Sequence, residues 1–578
     1  MSRFVYICRR RAGSALSIES QLKLLADCIS ADNIQENSPW IKCSSWTNIA
    51  IFNPVNNVAR KDTAIAFGTI NSQLPESWHI PGTPIRACYH ILARSDEKVA
   101  EFNNDILSSR TIWYVHLSSL FIASSSQRLI VSLLKSFEPN QEALTWFLSS
   151  GTPGPGISWD KRIHALKPDT CLTLHRESWR ISMKSSPAVF GGSGLTRKEC
   201  KESLYQLMHN SLEPFTKSPS DYVIPLSGGC DSRAIITLIA SNTNTNVNTI
   251  TWGTEHARKQ PGTDAYIAEQ VAAYFQSNHT YYPLDNSGQD FPVCLKRFVK
   301  LSEGRTDNIS AYLDGFFVWK RLFENGVQAI LRGDEALGSK QAVFNEYDAR
   351  MSIGLILPVD YNKQTSTIFS ELPAVTLPDE MMRKRSESIM NYWERIYQGF
   401  RVPTVLAALN ETKAPYVEPL NPLINSPLVK LARGFPEQYR INKQLFKEVV
   451  REISPNIPFA STDAITSISV ALGKPEIATY VKDNLSSEKT RTKFPPSLLK
   501  FAFNNYCITT GEKGQKTTEL KQSFKKHLPG WMKSVIYQTF SRKQLHPNVL
   551  SLRILIAREI ETVLEDDSKY LDIMEKKV

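Results

Sequence analysis

The segment PLSGGCDSR, residues 225–233, gathers residue types suited to holding a polyphosphate. Gly228 and Gly229 lack side chains, so their backbone N–H groups can come close to an anion. Ser227 and Ser232 can donate hydroxyl hydrogen bonds to phosphate oxygens, Leu226 leads the chain into the turn, and Asp231 is placed to hold Mg2+. A Gly-Gly pair alone marks only a tight turn. Here the pair follows the apolar run DYVIPL (221–226) and precedes RAIITLIA, so a strand feeds the loop and a helix N-terminus receives it. The Walker pattern GxxxxGK[ST] is absent, which argues against a γ-phosphate-transferring P-loop enzyme.

The elements around the loop repeat one rhythm. After the 221–226 strand and its helix come a strand at NTITWG (248–253), a helix at DAYIAEQVAAYF (264–275), a strand at HTYYPL and another at VQAILRG (327–333). Such alternation predicts an α/β fold in which a parallel sheet carries helices on both faces and presents its ligand site at the strand ends. Upstream, residues 61–70, 85–94 and 111–125 read as short strands, the last a hairpin. QRLIVSLLKSFEPNQEALTWFLSSG has helical apolar spacing up to the stop GTPGPG. The Gly/Ser/Pro-rich stretch SSPAVFGGSGLT (185–196) separates this β-rich region from a helix near Lys198, which predicts domains at 1–190 and 197–578. From about residue 380 the pattern turns mainly helical, with KQLFKEVVREI (443–453) clearly amphipathic.

The chain has 578 residues, enough for two or three domains, with 42% apolar and 22% charged residues. Its net charge of +11, much of it in a Lys/Arg-rich stretch from Lys489 to Lys543, favours acidic partners. No nucleic-acid motif accompanies that charge, and no run is apolar enough to span a membrane. The nine cysteines show no metal or redox spacing, and with no signal peptide a reducing cytoplasm is the default location.

SGGxDS after an apolar strand resembles the pyrophosphate loop of the ATP-pyrophosphatases, which split ATP between its α and β phosphates and adenylate their substrates. Further segments resemble the asparagine synthetase family over most of the chain. NTITWGTEH, with Thr251 and Gly253, matches where that family packs adenine and ribose. GTDAYIAEQVA follows, with Asp264 either a helix cap or a ligand. LRGDEALG resembles the second acidic loop, which makes Gly333, Asp334, Glu335 and Gly338 the matching positions and Asp334 a second Mg2+ ligand beside Asp231. Catalysis is thereby assigned to Asp231, Asp334 and Glu335. EPLNPLINSPLVKLARGFPEQYRINKQLFKEVV resembles the stretch with a PFLD-like turn, a helix, a Pro and a Lys that opens the next helix. The family's further Lys has no counterpart in SPNIPFASTDAITS (454–467), unless Lys443, Lys447 or Lys474 swings in.

The N-terminal part resembles the family's Ntn-type glutaminase domain, an α+β sandwich, at ASSSQRLIVSLL and at TWFLSSGTPGPGISWDKRIHALKPDTCLTL. A glutaminase of this type needs an N-terminal Cys as nucleophile. The chain begins Met1-Ser2-Arg3, with its first thiol at Cys8. The resemblance therefore implies an ATP- and Mg2+-dependent amidoligase whose amine comes from a small molecule or peptide, as in the β-lactam synthetases and lasso-peptide cyclases. A precursor peptide and a leader-processing protease are then the expected partners. Glutamine-hydrolysing asparagine synthesis is one alternative, and an ATP-binding scaffold without turnover is another.

Overall fold

The computed structural model describes every residue except 1–2, 12–14, 55–57, 69–73, 86–89, 244, 285–289, 334–336, 339–342, 466, 509–542 and 577–578. Its first third is built on two six-stranded antiparallel sheets packed face to face. Strand Arg3–Arg9 shows why this part folds as a layered structure, because it is apolar on both sides. Phe4, Tyr6 and Cys8 point between the sheets, where they meet Phe67, Phe102 and Phe121. Val5 and Ile7 point the other way, onto Leu22, Leu25 and Leu129 of the covering helices. The hairpin anticipated at 111–125 pairs Trp113–His116 with Leu120–Ser124.

The helical run anticipated from Gln127 is two helices, Gln127–Leu134 and Gln141–Ser150. Lys135 closes the first in a left-handed conformation (φ 53°), and Asn140 caps the second through its side chain. Gly151, also left-handed, ends it where GTPGPG predicts a stop.

After the 186–196 connection, Thr196 and Glu199 form a capping box that starts helix Arg197–Thr216. The third sheet is parallel, with strands in the order Asn278–Pro283, Asn248–Gly253, Tyr222–Pro225, Ala329–Leu331 and Glu418–Leu420. Four of these strands occupy runs anticipated as strands. The fifth, Glu418–Leu420, lies where a turn resembling PFLD was expected, and it pairs in parallel with Ala329–Leu331.

The β-rich and α/β regions share apolar core. The C-terminal helix Pro547–Glu575 returns to pack on Gln127–Leu134 and Gln141–Ser150, and one contiguous cluster joins Leu129, Phe147, Phe298 and Ile556. Among the described residues, no helix is long and apolar enough to cross a membrane.

Candidate active site

Strand Tyr222–Pro225 is the middle of the parallel sheet, and helix Cys230–Ala240 leaves it after the four-residue turn 226–229. Gly229 caps the helix with an extended backbone and no side-chain hydrogen bond, so the first helical amides carry no side-chain acceptor. A helix start without a side-chain cap is suited to an anion.

The turn is held by its own hydroxyls. The Ser227 and Gly229 amides donate to Ser232 Oγ (3.1 Å) and Ser227 Oγ (3.2 Å). Leu226 is fixed from both sides by the next strand: its amide donates to Ile250 O (2.8 Å), and its carbonyl accepts from Thr251 Oγ1 (2.6 Å). The Gly228 amide donates to Asp264 Oδ1 at 3.2 Å. Of the two roles weighed for Asp264, the cap belongs to Thr263, whose side chain accepts from Tyr266 N. Asp264 instead steadies the loop from the neighbouring helix.

At three glycines in and beside the loop a Cβ would collide. At Gly228 it would lie 2.4 Å from Ala460 Cβ, at Gly253 2.7 Å from Ala464 Cβ, and at Gly333 2.8 Å from the Asp231 backbone. Gly333 thus brings the segment after strand Ala329–Leu331 against Asp231. Asp334 and Glu335 lie outside the described residues. Gly338 has φ +111°, where a Cβ would meet Arg440 O at 2.6 Å.

Asp231 has a partner that residue spacing does not reveal. Lys443 Nζ donates to Asp231 Oδ1 at 2.7 Å and Oδ2 at 3.0 Å. The lysine side chain is 2% exposed and the aspartate 20%. Lys443 reaches the loop because Asn442 and Lys443 both take left-handed backbone (φ 55° and 54°) just before helix Gln444–Ile453. Lys447 is half-buried one turn further on, and Lys474 is exposed at the start of helix Pro475–Ser486. Burial, then the neighbouring Asp231, pushes the Cys230 thiol up to about 11.

A second wall comes from residues 454–464, the stretch that contains no lysine. The Ala460 amide donates to Gly228 O (2.9 Å), Thr254 N donates to Ala464 O (2.9 Å), and Asp264 N donates to Thr462 O (3.0 Å). Arg233, 1% exposed, clamps this strap by donating to Ile457 O (2.5 Å) and Pro458 O (2.9 Å), with its guanidinium 4.3 Å over the Phe459 ring. The sequence offers one signal for the clamp, an arginine placed directly after the loop.

Residues 204–458 match the asparagine synthase family model. That stretch is an asparagine synthase domain. The asparagine synthase domain opens inside helix Arg197–Thr216 and takes in the Gly-rich turn, Asp264, Gly333 and Lys443. It ends within the strap, at the second carbonyl that Arg233 holds. Asparagine synthetases are ATP-dependent carbon–nitrogen ligases, and that is the reaction class of this domain. No curated protein matches the chain.

Proposed function

We propose that the chain adenylates a carboxylate with ATP and joins it to an amine without hydrolysing glutamine, as a macrolactam cyclase or β-lactam synthetase does. The observation that carries this is the pairing of buried Lys443 with Asp231 at the mouth of the Gly-rich turn. It sets one cation and one carboxylate beside an uncapped helix start, at the end of a central parallel strand.

The loop amides and the hydroxyls of Ser227 and Ser232 would hold the phosphates, while Thr251 and Gly253 line the nucleoside side. A carboxylate oxygen attacks the α-phosphorus as the bond to the bridging β-phosphate oxygen breaks, giving acyl-adenylate and pyrophosphate. The amine nitrogen then attacks the acyl carbon, AMP leaves, and the amine loses a proton. Lys443 offsets charge on the departing pyrophosphate. Binding both reactants in one site supplies proximity.

A Mg2+ ion fits the donor set through Asp231, because this ion keeps most of its waters and takes one or two carboxylates plus phosphate oxygens. Asp334 is the second carboxylate in the proposal. The ion would neutralise phosphate charge. Both Asp231 oxygens face Lys443, so the lysine must turn toward phosphate for the carboxylate to serve a metal.

The placement of Cys8 favours an amine source other than glutamine. Cys8 is fully buried between the sheets near the end of strand Arg3–Arg9, and burial raises its pKa well above the ordinary thiol range. It is therefore unsuited to act as a nucleophile. The alternative nucleophile, Ser2, lies outside the described residues. Peptide substrates, a precursor and its protease remain part of this proposal, as does a cytoplasmic setting. The strap supports a second reading, ATP binding without turnover, since residues 454–464 bring no cation to the loop they cover.

Pyrophosphate exchange tests the proposal. Asp231→Asn should abolish carboxylate-dependent exchange of labelled pyrophosphate into ATP, while the parent chain releases no glutamate from glutamine. Exchange unchanged by the substitution would remove Asp231 from the chemistry. Tight ATP binding with no exchange across carboxylates and peptides would establish the scaffold instead.

A further inference from the structure

A half-open pocket of about 250 Å³ lies where the β-rich region meets the helical C-terminal part. None of its lining residues belongs to the Gly-rich turn or the strap. Arg401, Lys543 and Arg553 line it together with Asp307, Asn308 and Ser310.

The charges in this pocket do not balance. Arg553 is buried and spends itself on protein groups, with Nε on Asp307 Oδ2 (2.7 Å) and Nη1 on Leu148 O (3.0 Å) and Ser149 O (2.6 Å). Asp307, the only carboxylate among the described lining residues, is thereby used. Among the described residues Arg401 has one long bond, from Nη1 to Ile353 O at 3.4 Å. Neither Arg401 nor Lys543 forms an ion pair among the described residues. Burial lowers the pKa of Arg401, with Tyr397 and Asp307 offsetting it in part, and burial lowers that of Lys543, a residue exposed on one side, with the neighbouring Arg553 adding to the lowering.

The backbone that presents Arg401 is also unusual. Arg401 sits in the ten-residue π-helix Tyr397–Leu406, which contains Pro403. π-Helical turns are rare and concentrate at functional sites. Gly354, which also lines the pocket, is left-handed (φ +80°).

We infer that this pocket binds a compact, doubly charged oxyanion, which Arg401 and Lys543 grip from two sides while Asn308 and Ser310 offer uncharged donors. Two cations against a dianion bring the pocket to neutrality, and about 250 Å³ accommodates a phosphoryl group or a short dicarboxylate. The site is separate from the ATP loop, so its ligand is either an effector or the anionic end of a substrate.

Inorganic phosphate and malonate, titrated into the full chain at constant ionic strength, provide the test by thermal shift and calorimetry. A saturable rise in Tm is expected in the parent chain and in Ser227→Ala/Ser232→Ala, which weakens only the loop. In Arg401→Gln/Lys543→Gln the affinity should fall at least about tenfold, since each lost partner is a charge-assisted contact. Response to phosphate alone assigns a phosphoryl ligand, and response to malonate alone a dicarboxylate. A third variant covers the case in which the double substitution does not fold: Ser310→Asp supplies an internal anion, and should raise Tm and abolish the response. No saturable response in the parent chain, or a response lost in the loop variant and kept in the pocket variant, would overturn the inference. So would a Ser310→Asp chain that binds phosphate as the parent does.

Discussion

Asn442 and Lys443 hold two successive left-handed conformations, which cost non-glycine residues on the order of 1–3 kcal/mol each. Here that strain aims a buried ammonium at Asp231. Lys443→Met should therefore cut carboxylate-dependent pyrophosphate exchange by about 10- to 100-fold, the size of one lost charge-assisted contact. Lys474→Met should leave it unchanged, and equal losses from both substitutions would deny Lys443 its role. The sequence named Lys443 among three candidates but did not choose between them, because side-chain type carries no record of a strained backbone. Gly228 was legible as a residue that lets an anion approach. What it also avoids, Ala460 Cβ, was not, since residues 228 and 460 meet only through the tertiary fold. Gly228→Ala should destabilise the chain by about 1–3 kcal/mol through overpacking. It should also weaken ATP binding, and Ala460→Gly should restore both in part by removing the opposing carbon. A double variant no better than Gly228→Ala, by thermal unfolding and nucleotide titration, would show that Ala460 is not the obstacle.

Strands and helices were easier to read than their joints. Alternating apolar runs located four strands of the parallel sheet, because each is a short apolar run of strand length between turn residues. Glu418–Leu420 escaped because three residues with a central proline give no strand signal. The helix anticipated from Gln127 was divided for a different reason. Apolar spacing runs on through Leu134 and Phe137, and only Pro139-Asn140 marks the restart. The strap at 454–464 has no regular pattern, and what gives it a fixed position is Arg233, whose planar fork serves two carbonyls while stacking on Phe459. Arg233→Lys keeps the charge but cannot span both acceptors or stack. Its expected consequence is faster amide exchange at Ala460, which donates to Gly228 O, with a stability loss of about 1–3 kcal/mol. Exchange at Thr251, inside the sheet, should stay slow. Unaltered protection at Ala460 would mean that the strap is held by its own backbone contacts.

At the scale of the whole molecule, the composition shift at 185–196 was read as a boundary between domains 1–190 and 197–578, and the packing qualifies their independence. Helix Pro547–Glu575 lies on helices of the first region, and Arg128 pairs with Asp567 at 2.7 Å, both buried. Sequence distance hides such contacts, since 439 residues separate that pair. Arg110 is the sharper case. It leaves the β-rich region to bind Glu411 at 2.8 and 3.0 Å and Glu418 at 2.9 Å, with all three side chains buried. Glu418 belongs to the edge strand of the parallel sheet, so one guanidinium couples the two regions. Burial pushes the Glu418 carboxyl up, and Arg110 holds it back. Arg110→Met should leave two buried carboxylates without a counter-charge and destabilise the chain by about 3–5 kcal/mol near neutral pH. The pH dependence has a definite sign. Without Arg110 the folded carboxyl pKa rises further above its unfolded value, so the folded state binds the extra proton, and stability is present at low pH and lost as pH rises through the folded pKa. The deficit of Arg110→Met against the parent should therefore shrink as pH falls from about 7.5 toward 5, near the ordinary carboxylate range. Thermal unfolding of both chains across that range measures it. A deficit constant with pH would show that Arg110 acts through packing, and that the carboxylates find other partners once it is gone.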